Sequence, residues 1–254
     1  MRRFLSLSTV AAKETNAKAL VDYLKAETDT TATSDIFLSV HDGMRHTFLE
    51  HATSLYNAAL EYNPLVTVDV IPVVSPPAAG SDPATGAGHQ LLDRAYLEAS
   101  KGFTPCYDYV AVGGTFDHLH SGHKLLLTTA VLHTLRKLRV GVTGDALLQK
   151  KKFAEYLQSN EVRKKAVRDF LQHIRQDVEL EIETIEDVSG GTDTIPDVKA
   201  IALSPETEKS LDIINDLRKK NGNLPPLAGI RIPFVSSSSG EVISSTRLRQ
   251  GMTK

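Results

Sequence analysis

Short β-type runs alternate with longer amphipathic helical patterns along most of this chain, and no other feature constrains its fold as strongly. Parallel strands cannot be joined by tight turns and need a crossover that is usually a helix, so a regular strand-helix alternation implies a parallel α/β sheet. In the first part, FLSLSTV, DIFLSV and VTVDVIPVV read as strands, with KETNAKALVDYLKAE and MRHTFLEHATSLYNAALEYN as the helices between them. The pattern stops at SPPAAGSDPATGAG, residues 75–88, whose Pro, Gly and small residues read as an exposed linker. A short helix, HQLLDRAYLEASKG, follows it. A second series begins at Tyr107: strand YDYVAVG, helix SGHKLLLTTAVLHTLRKL, strand LRVGVT, helix NEVRKKAVRDFLQHIR, strands ELEIETIE and VKAIALS, helix ETEKSLDIINDLRKK and strand LAGIRIPFV. The expected organisation is therefore an N-terminal α/β domain over residues 1–74, a linker with a short helix over 75–106, and a doubly wound parallel α/β domain of the Rossmann-like kind over 107–254.

Composition narrows the function classes. A net charge of -2 gives no global attraction to nucleic acid, so affinity for anions has to come from local sites. The single cysteine, Cys106, cannot close an internal disulfide, which fits a reducing, cytoplasmic compartment and a small buried hydrophobe. No apolar run reaches the roughly 20 residues of a membrane helix. The opening MRRFLSLSTVAAKE reads as a first strand; a mitochondrial presequence is the alternative reading of the same residues.

The densest chemistry lies in GGTFDHLHSGHK, between the strand YDYVAVG and the helix after His120. Doubly wound sheets bind phosphates at such a turn, through the open N–H groups and positive dipole end of the helix. Gly113 and Gly114 let the backbone turn and approach a ligand closely. His120 and His123, three apart at the helix start, can face one ligand and donate hydrogen bonds to a phosphoryl group. A zinc site from Asp117, His118, His120 and His123 is the competing reading, weakened by the absence of i, i+4 spacing and of a distant fourth ligand. Near the C-terminus, EVISSTRLRQGM offers Ser244, Ser245 and Thr246 at a helix start, with the guanidinium forks of Arg247 and Arg249. Two anion sites about 120 residues apart in sequence, each at the start of a helix, suit one triphosphate held between them.

GGTFDHLHSGHK resembles the histidine, any residue, glycine, histidine motif of the nucleotidyltransferase superfamily, and the C-terminal stretch resembles its ISSTxxR element. The full string, GVT with an aspartate two residues later, the lysine-rich loop GDALLQKKKFAE, IEDVSGGTDT and ALSPET together resemble the archaeal and eukaryotic type of phosphopantetheine adenylyltransferase. That resemblance runs from about Tyr107 to the end. It implies transfer of the adenylyl group of ATP to 4'-phosphopantetheine, giving dephospho-coenzyme A and pyrophosphate, with no enzyme nucleophile. It implies Mg2+ accompanying ATP, although no carboxylate cluster names its ligands, and association with other coenzyme A pathway enzymes; nucleic acid is not an expected partner.

The resemblance also implies roles. His123 stabilises the α-phosphoryl group and Thr115 orients the attacking phosphate. Lys151 is the expected catalytic lysine, with Lys150 and Lys152 unresolved from it by spacing. ATP contacts fall on Gly113, Gly114, Phe116, His120, His123, Ser244, Ser245, Thr246 and Arg247, and phosphopantetheine contacts on Thr115, Asp117, Lys151, Gly191 and Thr192. The stretch SPET, 204–207, departs from the bacterial form of the enzyme. Another nucleotidyltransferase, acting on nicotinamide mononucleotide or using CTP, would share both motifs; a scaffold with a decayed site is the remaining alternative, and intact His120, His123, Lys151, Ser244 and Arg247 speak against it. The N-terminal half has no counterpart of the histidine motif and is not expected to bind ATP. It reads either as a degenerate relative of the second domain or as an unrelated α/β domain for packing or partners.

Overall fold

A computed structural model describes residues 3–27, 32–74, 89–149, 151–233, 235–236 and 243–252. The chain forms two compact units. The first comprises Met1–Thr104 with His173–Arg175 and Val235–Ile243; the second comprises Pro105–Gln172, Gln176–Phe234 and Ser244–Lys254.

The first unit contains β1 (Arg3–Ser8), α1 (Lys13–Ala26), β2 (Ser34–Val40), α2 (Arg45–Tyr62), β3 (Val68–Val74), β4 (Gln90–Leu91) and α3 (Arg94–Ala99). Its sheet order is β1-β2-β3-β4, with the first three strands parallel and β4 antiparallel to β3. β2 and β3 are buried almost throughout, which explains their near-continuous apolar sequences. The linker stretch 75–88 lies outside the described residues. Where one helix was expected after it, Gln90–Leu91 first pairs with β3, and the helix begins only after Asp93, whose carboxylate accepts from the Tyr96 N–H at 2.8 Å. An aspartate that satisfies an open N–H sets the helix start, and the apolar residues before it are left for the sheet.

The second unit contains β5 (Tyr107–Gly114), α4 (Ser121–Val131), β6 (Thr134–Thr143), α5 (Asn160–Ile174), β7 (Glu179–Ile185), β8 (Ala200–Leu203), α6 (Ser210–Lys220), β9 (Ala228–Arg231) and α7 (Ser245–Gly251). All five strands are parallel, in the order β7-β6-β5-β8-β9. The chain builds outward from β5 through β6 to β7, then returns to the other side of β5 with β8 and β9. This reversal at β5 and β8 opens the crevice in which doubly wound sheets hold ligands. The first unit's order has no such reversal among its described strands.

One element differs from its sequence reading. TLRKL, expected at the end of the helix, belongs instead to the strand β6, because α4 stops at Val131 and a turn at Leu132 and His133 separates them. The basic residues there look like a helix C-terminus, yet Thr134, Leu138 and Val140 are buried while Arg136 is exposed, a strand-like pattern. On one face of the sheet, Tyr109, Ala111, Val198, Ile201 and Leu203 form a core with Leu211 and Ile214 of α6. No helix of the described residues is long and apolar enough to cross a membrane.

Candidate active site

The turn after β5 is held in a demanding backbone conformation. Phe116 and His118 both adopt left-handed φ values, 50° and 46°. Each costs about 1–3 kcal/mol for a residue with a side chain and persists only where the surroundings enforce it. The enforcement is visible: Phe116 is fully buried. The His118 N–H donates to Gln158 Oε1 at 2.8 Å, and its Nε2 lies 2.8 Å from the Tyr156 carbonyl. At Gly114 a Cβ would stand 3.1 Å from the Phe116 ring, so any larger residue would press on the buried ring.

The turn presents His120 and His123 together. Their rings stack at 3.8 Å between centroids, and the Phe116 edge meets His123 at 5.4 Å. Both Nδ1 atoms are buried and have no hydrogen-bond partner among the described residues. Burial, reinforced by the Lys124 ammonium, lowers the His120 pKa to about 4; burial, reinforced by His120, holds His123 well below the ordinary imidazole value. At neutral pH both rings are therefore neutral, with Nδ1 atoms that nothing among the described residues satisfies. His118 is turned away to the Tyr156 carbonyl and does not join the pair. Among the described residues, the group with metal-ligand spacing is Asp35, Asp69 and His173, all counted in the first unit, and not the motif histidines.

Asp117, expected to meet phosphopantetheine, is fully buried. One carboxylate oxygen accepts from the Gln158 N–H at 2.9 Å and the other from Arg249 Nη1 at 2.5 Å. Phe116, expected at ATP, has no exposed surface either and acts as the floor on which His123 rests. Both side chains support the site from inside, because the left-handed turn points them into the core.

The second motif docks onto the first. Ser244 caps α7, its hydroxyl accepting from the Arg247 N–H at 3.3 Å. Ser245 Oγ donates to the Asp117 carbonyl at 2.8 Å, a contact between residues 128 apart in sequence. Arg249 is buried, while Arg247 is exposed. Thr246 Oγ1 accepts from Arg249 at 3.2 Å. Glu241 and Val242 of this motif lie outside the described residues.

Between the two motifs runs the lysine loop. Lys150 lies outside the described residues; Lys151 and Lys152 are exposed. Among the described residues no ion pair or side-chain hydrogen bond engages either ammonium, whereas the Lys152 carbonyl accepts from Arg249 at 3.2 and 3.3 Å. Arg163, fully buried at the start of α5, ties the surrounding loops together. Its Nη1 donates to the Thr115 and Thr143 carbonyls, both at 2.8 Å, its Nε to the Gln158 carbonyl at 3.0 Å, and its Nη2 to Asp145 at 2.5 Å. Thr115 is thus held through its carbonyl, with its side chain partly exposed.

Past β7, Asp187 accepts from the N–H groups of Ser189 and Gly190 and from the Ser189 hydroxyl, which hold its carboxyl below the usual carboxylate range. Gly190 and Gly191 carry positive φ values of 52° and 81°. Thr192 is buried, its hydroxyl donating to the Ser189 carbonyl at 2.6 Å. Arg139 binds the Gly190 carbonyl through Nε and Nη2 at 3.1 and 2.9 Å, and Arg218 binds the carbonyls of Thr192, Ile195 and Pro225. A small cleft of about 30 Å³ is lined by Gly113 and Gly141 together with Ser189, Gly190 and Thr192. Gly113 of the glycine pair thus borders the same space as Ser189, Gly190 and Thr192.

Sequence reading missed the arginines that hold these loops, although a signal was present. Arg163 precedes Val167, Phe170, Leu171 and Ile174 on the buried stripe of α5, and Arg218 follows Leu211 and Ile214 on that of α6. An arginine on an apolar stripe has to find acceptors inside the protein, and loop carbonyls supply them.

The comparisons with known proteins agree with this arrangement. A family model described as cytidylyltransferase-like matches residues 111–251, from β5 through both motifs to the end of α7. The chain is 36% identical over 152 residues to an uncharacterized protein of Schizosaccharomyces pombe, covering 57% of this chain and 48% of the relative. It is 32% identical over 148 residues to a phosphopantetheine adenylyltransferase of Saccharomyces cerevisiae, again covering 57% and 48%. It is 41% identical over 140 residues to a phosphopantetheine adenylyltransferase of Methanopyrus kandleri, covering 55% of this chain and 87% of the relative. The chain spans about half the length of the two yeast relatives. With a family model covering more than half of its residues and both motifs joined at one end of a reversed parallel sheet, the chain belongs to the cytidylyltransferase-like family.

Proposed function

We propose that the protein transfers the adenylyl group of ATP to 4'-phosphopantetheine, releasing pyrophosphate and forming dephospho-coenzyme A. The observation that carries this reading is the joining of two motifs 128 residues apart by the Ser245 hydroxyl on the Asp117 carbonyl, beside two neutral stacked histidines whose Nδ1 atoms have no partner among the described residues. Similarity to phosphopantetheine adenylyltransferases of yeast and archaea supports the choice of acceptor.

In this reading the acceptor's phosphate oxygen attacks the α-phosphorus, the bond to the bridging oxygen breaks, and pyrophosphate leaves. The protein supplies no covalent partner; it brings two polyanions together and spreads the developing charge over fixed donors. His123 and His120 donate to phosphoryl oxygens as neutral imidazoles, which limits the desolvation cost of the buried pair. Lys151 carries the mobile positive charge to the acceptor and α-phosphates, Thr115 orients the attacking phosphate, and Ser244, Ser245, Thr246 and Arg247 receive the outer phosphates of ATP. Gly113 and Gly114 let the nucleotide approach the backbone, and Gly191 with Thr192 borders the pantetheine arm through main-chain groups. Magnesium enters bound to the triphosphate, because the carboxylates around the turn are engaged: Asp117 by Arg249 and Gln158, Asp145 by Arg163. No step of the reaction is assigned to a protein-held metal.

The test is pyrophosphate release by the purified chain, with ATP or CTP offered against 4'-phosphopantetheine, nicotinamide mononucleotide and phosphocholine. Release with ATP and phosphopantetheine alone, with dephospho-coenzyme A as product, is the expected result; release with another pair would reassign the acceptor.

A further inference from the structure

We propose that Arg249, anchored on Asp117, is a positioning residue that presets both the lysine loop and the Thr246 hydroxyl for the transferring phosphates. This proposal rests on the adenylyl-transfer reading above for its kinetic part only.

The argument starts from burial. Arg249 is 1% exposed and Asp117 0%, so this arginine of the C-terminal motif does not present its guanidinium to a ligand from the surface as Arg247 can. Its donors are distributed over three elements. Nη1 takes the Asp117 carboxylate at 2.5 Å, Nε and Nη2 take the Lys152 carbonyl at 3.3 and 3.2 Å, and Nη2 also reaches Thr246 Oγ1 at 3.2 Å. Asp117 is fixed in turn by the Gln158 N–H.

Two consequences follow from donor and acceptor chemistry. A threonine hydroxyl that accepts from a guanidinium has its own proton left to donate, so Arg249 orients Thr246 as a donor toward an anion. A carbonyl held at Lys152 fixes the backbone next to Lys151, whose exposed side chain then swings from an anchored root. Phe153, the next residue, sits at a left-handed φ of 57°, a conformation that needs such external support. A lysine at position 249 has one nitrogen and no planar fork, and cannot span the carboxylate, the carbonyl and the hydroxyl together.

The experiment compares wild type with R249M, R249K and D117N in two independent readouts. The first is amide hydrogen exchange, which needs no substrate. The amides of Lys151, Tyr156 and Leu157, bonded within this loop, are expected to exchange at least tenfold faster in R249M and D117N, with those of β5 and β6 unchanged. R249K, which keeps the charge and the fold, is expected to show the same loosening in milder form. The second readout is a double-mutant cycle on turnover. R249M and K151M should each lower kcat, and K151M/R249M should fall well short of the product of the two losses, because Arg249 acts partly through Lys151. Unchanged exchange in the loop for the folded variants would overturn the proposal, as would losses that multiply fully. If wild type releases no pyrophosphate with any acceptor, the functional reading fails while the exchange result still decides whether Arg249 sets the loop.

Discussion

The lowered pKa of His120 makes protein stability depend on pH in a way that can be calculated and isolated. An imidazole has an ordinary pKa of 6.5, and burial next to Lys124 brings that of His120 to about 4. Between those values the unfolded chain binds a proton that the folded chain refuses, so stability is complete above pH 6.5 and falls as the pH drops toward 4. Moving from pH 7.5 to pH 5.0 then removes about 2 kcal/mol, the difference between protonating a free imidazole at pH 5 and failing to protonate the buried one. For a protein of this size that corresponds to roughly 4–8 °C of melting temperature. Carboxylates also titrate in this range, so the quantity to measure is the wild-type loss minus the loss in H120Q, which keeps a polar side chain and cannot titrate. Thermal melts by far-UV circular dichroism at both pH values, at one scan rate, supply it. Where the two units melt separately, the transition that responds to the substitution is the one to follow. His123 is held low partly by His120, so H120Q/H123Q should flatten the profile further than either single change. Equal pH dependence in wild type and H120Q would refute the reasoning, since it would mean that the ring protonates as freely folded as unfolded.

Other substitutions test the site directly. H123A should lower turnover by roughly two orders of magnitude or more while weakening ATP binding much less, as expected for a donor whose bond tightens in the transition state; kcat and the ATP dissociation constant measured together decide this. K151M should lose roughly two orders of magnitude in kcat and K152M little, because Lys152 is engaged through its backbone carbonyl; similar mild losses at both would reduce the loop to a general anion attractor. The imidazole Cε1–H resonances of His120 and His123 should not titrate between pH 6 and 8 in NMR spectra, and a midpoint near 6.5 for either ring would contradict the burial of the pair. R163M should destabilise the protein by about 3 kcal/mol, since it leaves loop carbonyls unpaired inside the protein, and a shift of melting temperature below 2 °C would show that those carbonyls find water instead.

Much of the fold was legible in the sequence because it rests on local patterns. The period of the apolar residues distinguishes strand from helix, the order of elements demands parallel crossovers, and the glycine pair followed by histidines marks the strand-to-helix turn. Where the reading slipped, the local signal was ambiguous: Thr134 to Leu138 carries the basic residues of a helix end and the burial of a strand, and pairing with β5, at Thr134 and again from Lys137 onward past an irregularity, decides in favour of the strand. The site was legible only in part. His120, His123 and the C-terminal serines could be named from their motifs, and their roles toward ligand remain proposals of chemistry. The fates of Asp117, Phe116 and Arg249 could not be read, because polar and aromatic residues in a motif look alike in sequence whether they face ligand or core. Two left-handed residues turn Phe116 and Asp117 inward, and a buried carboxylate needs a cation. The chain supplies one from a helix 132 residues away, and only the folding of the sheet brings that charge to it.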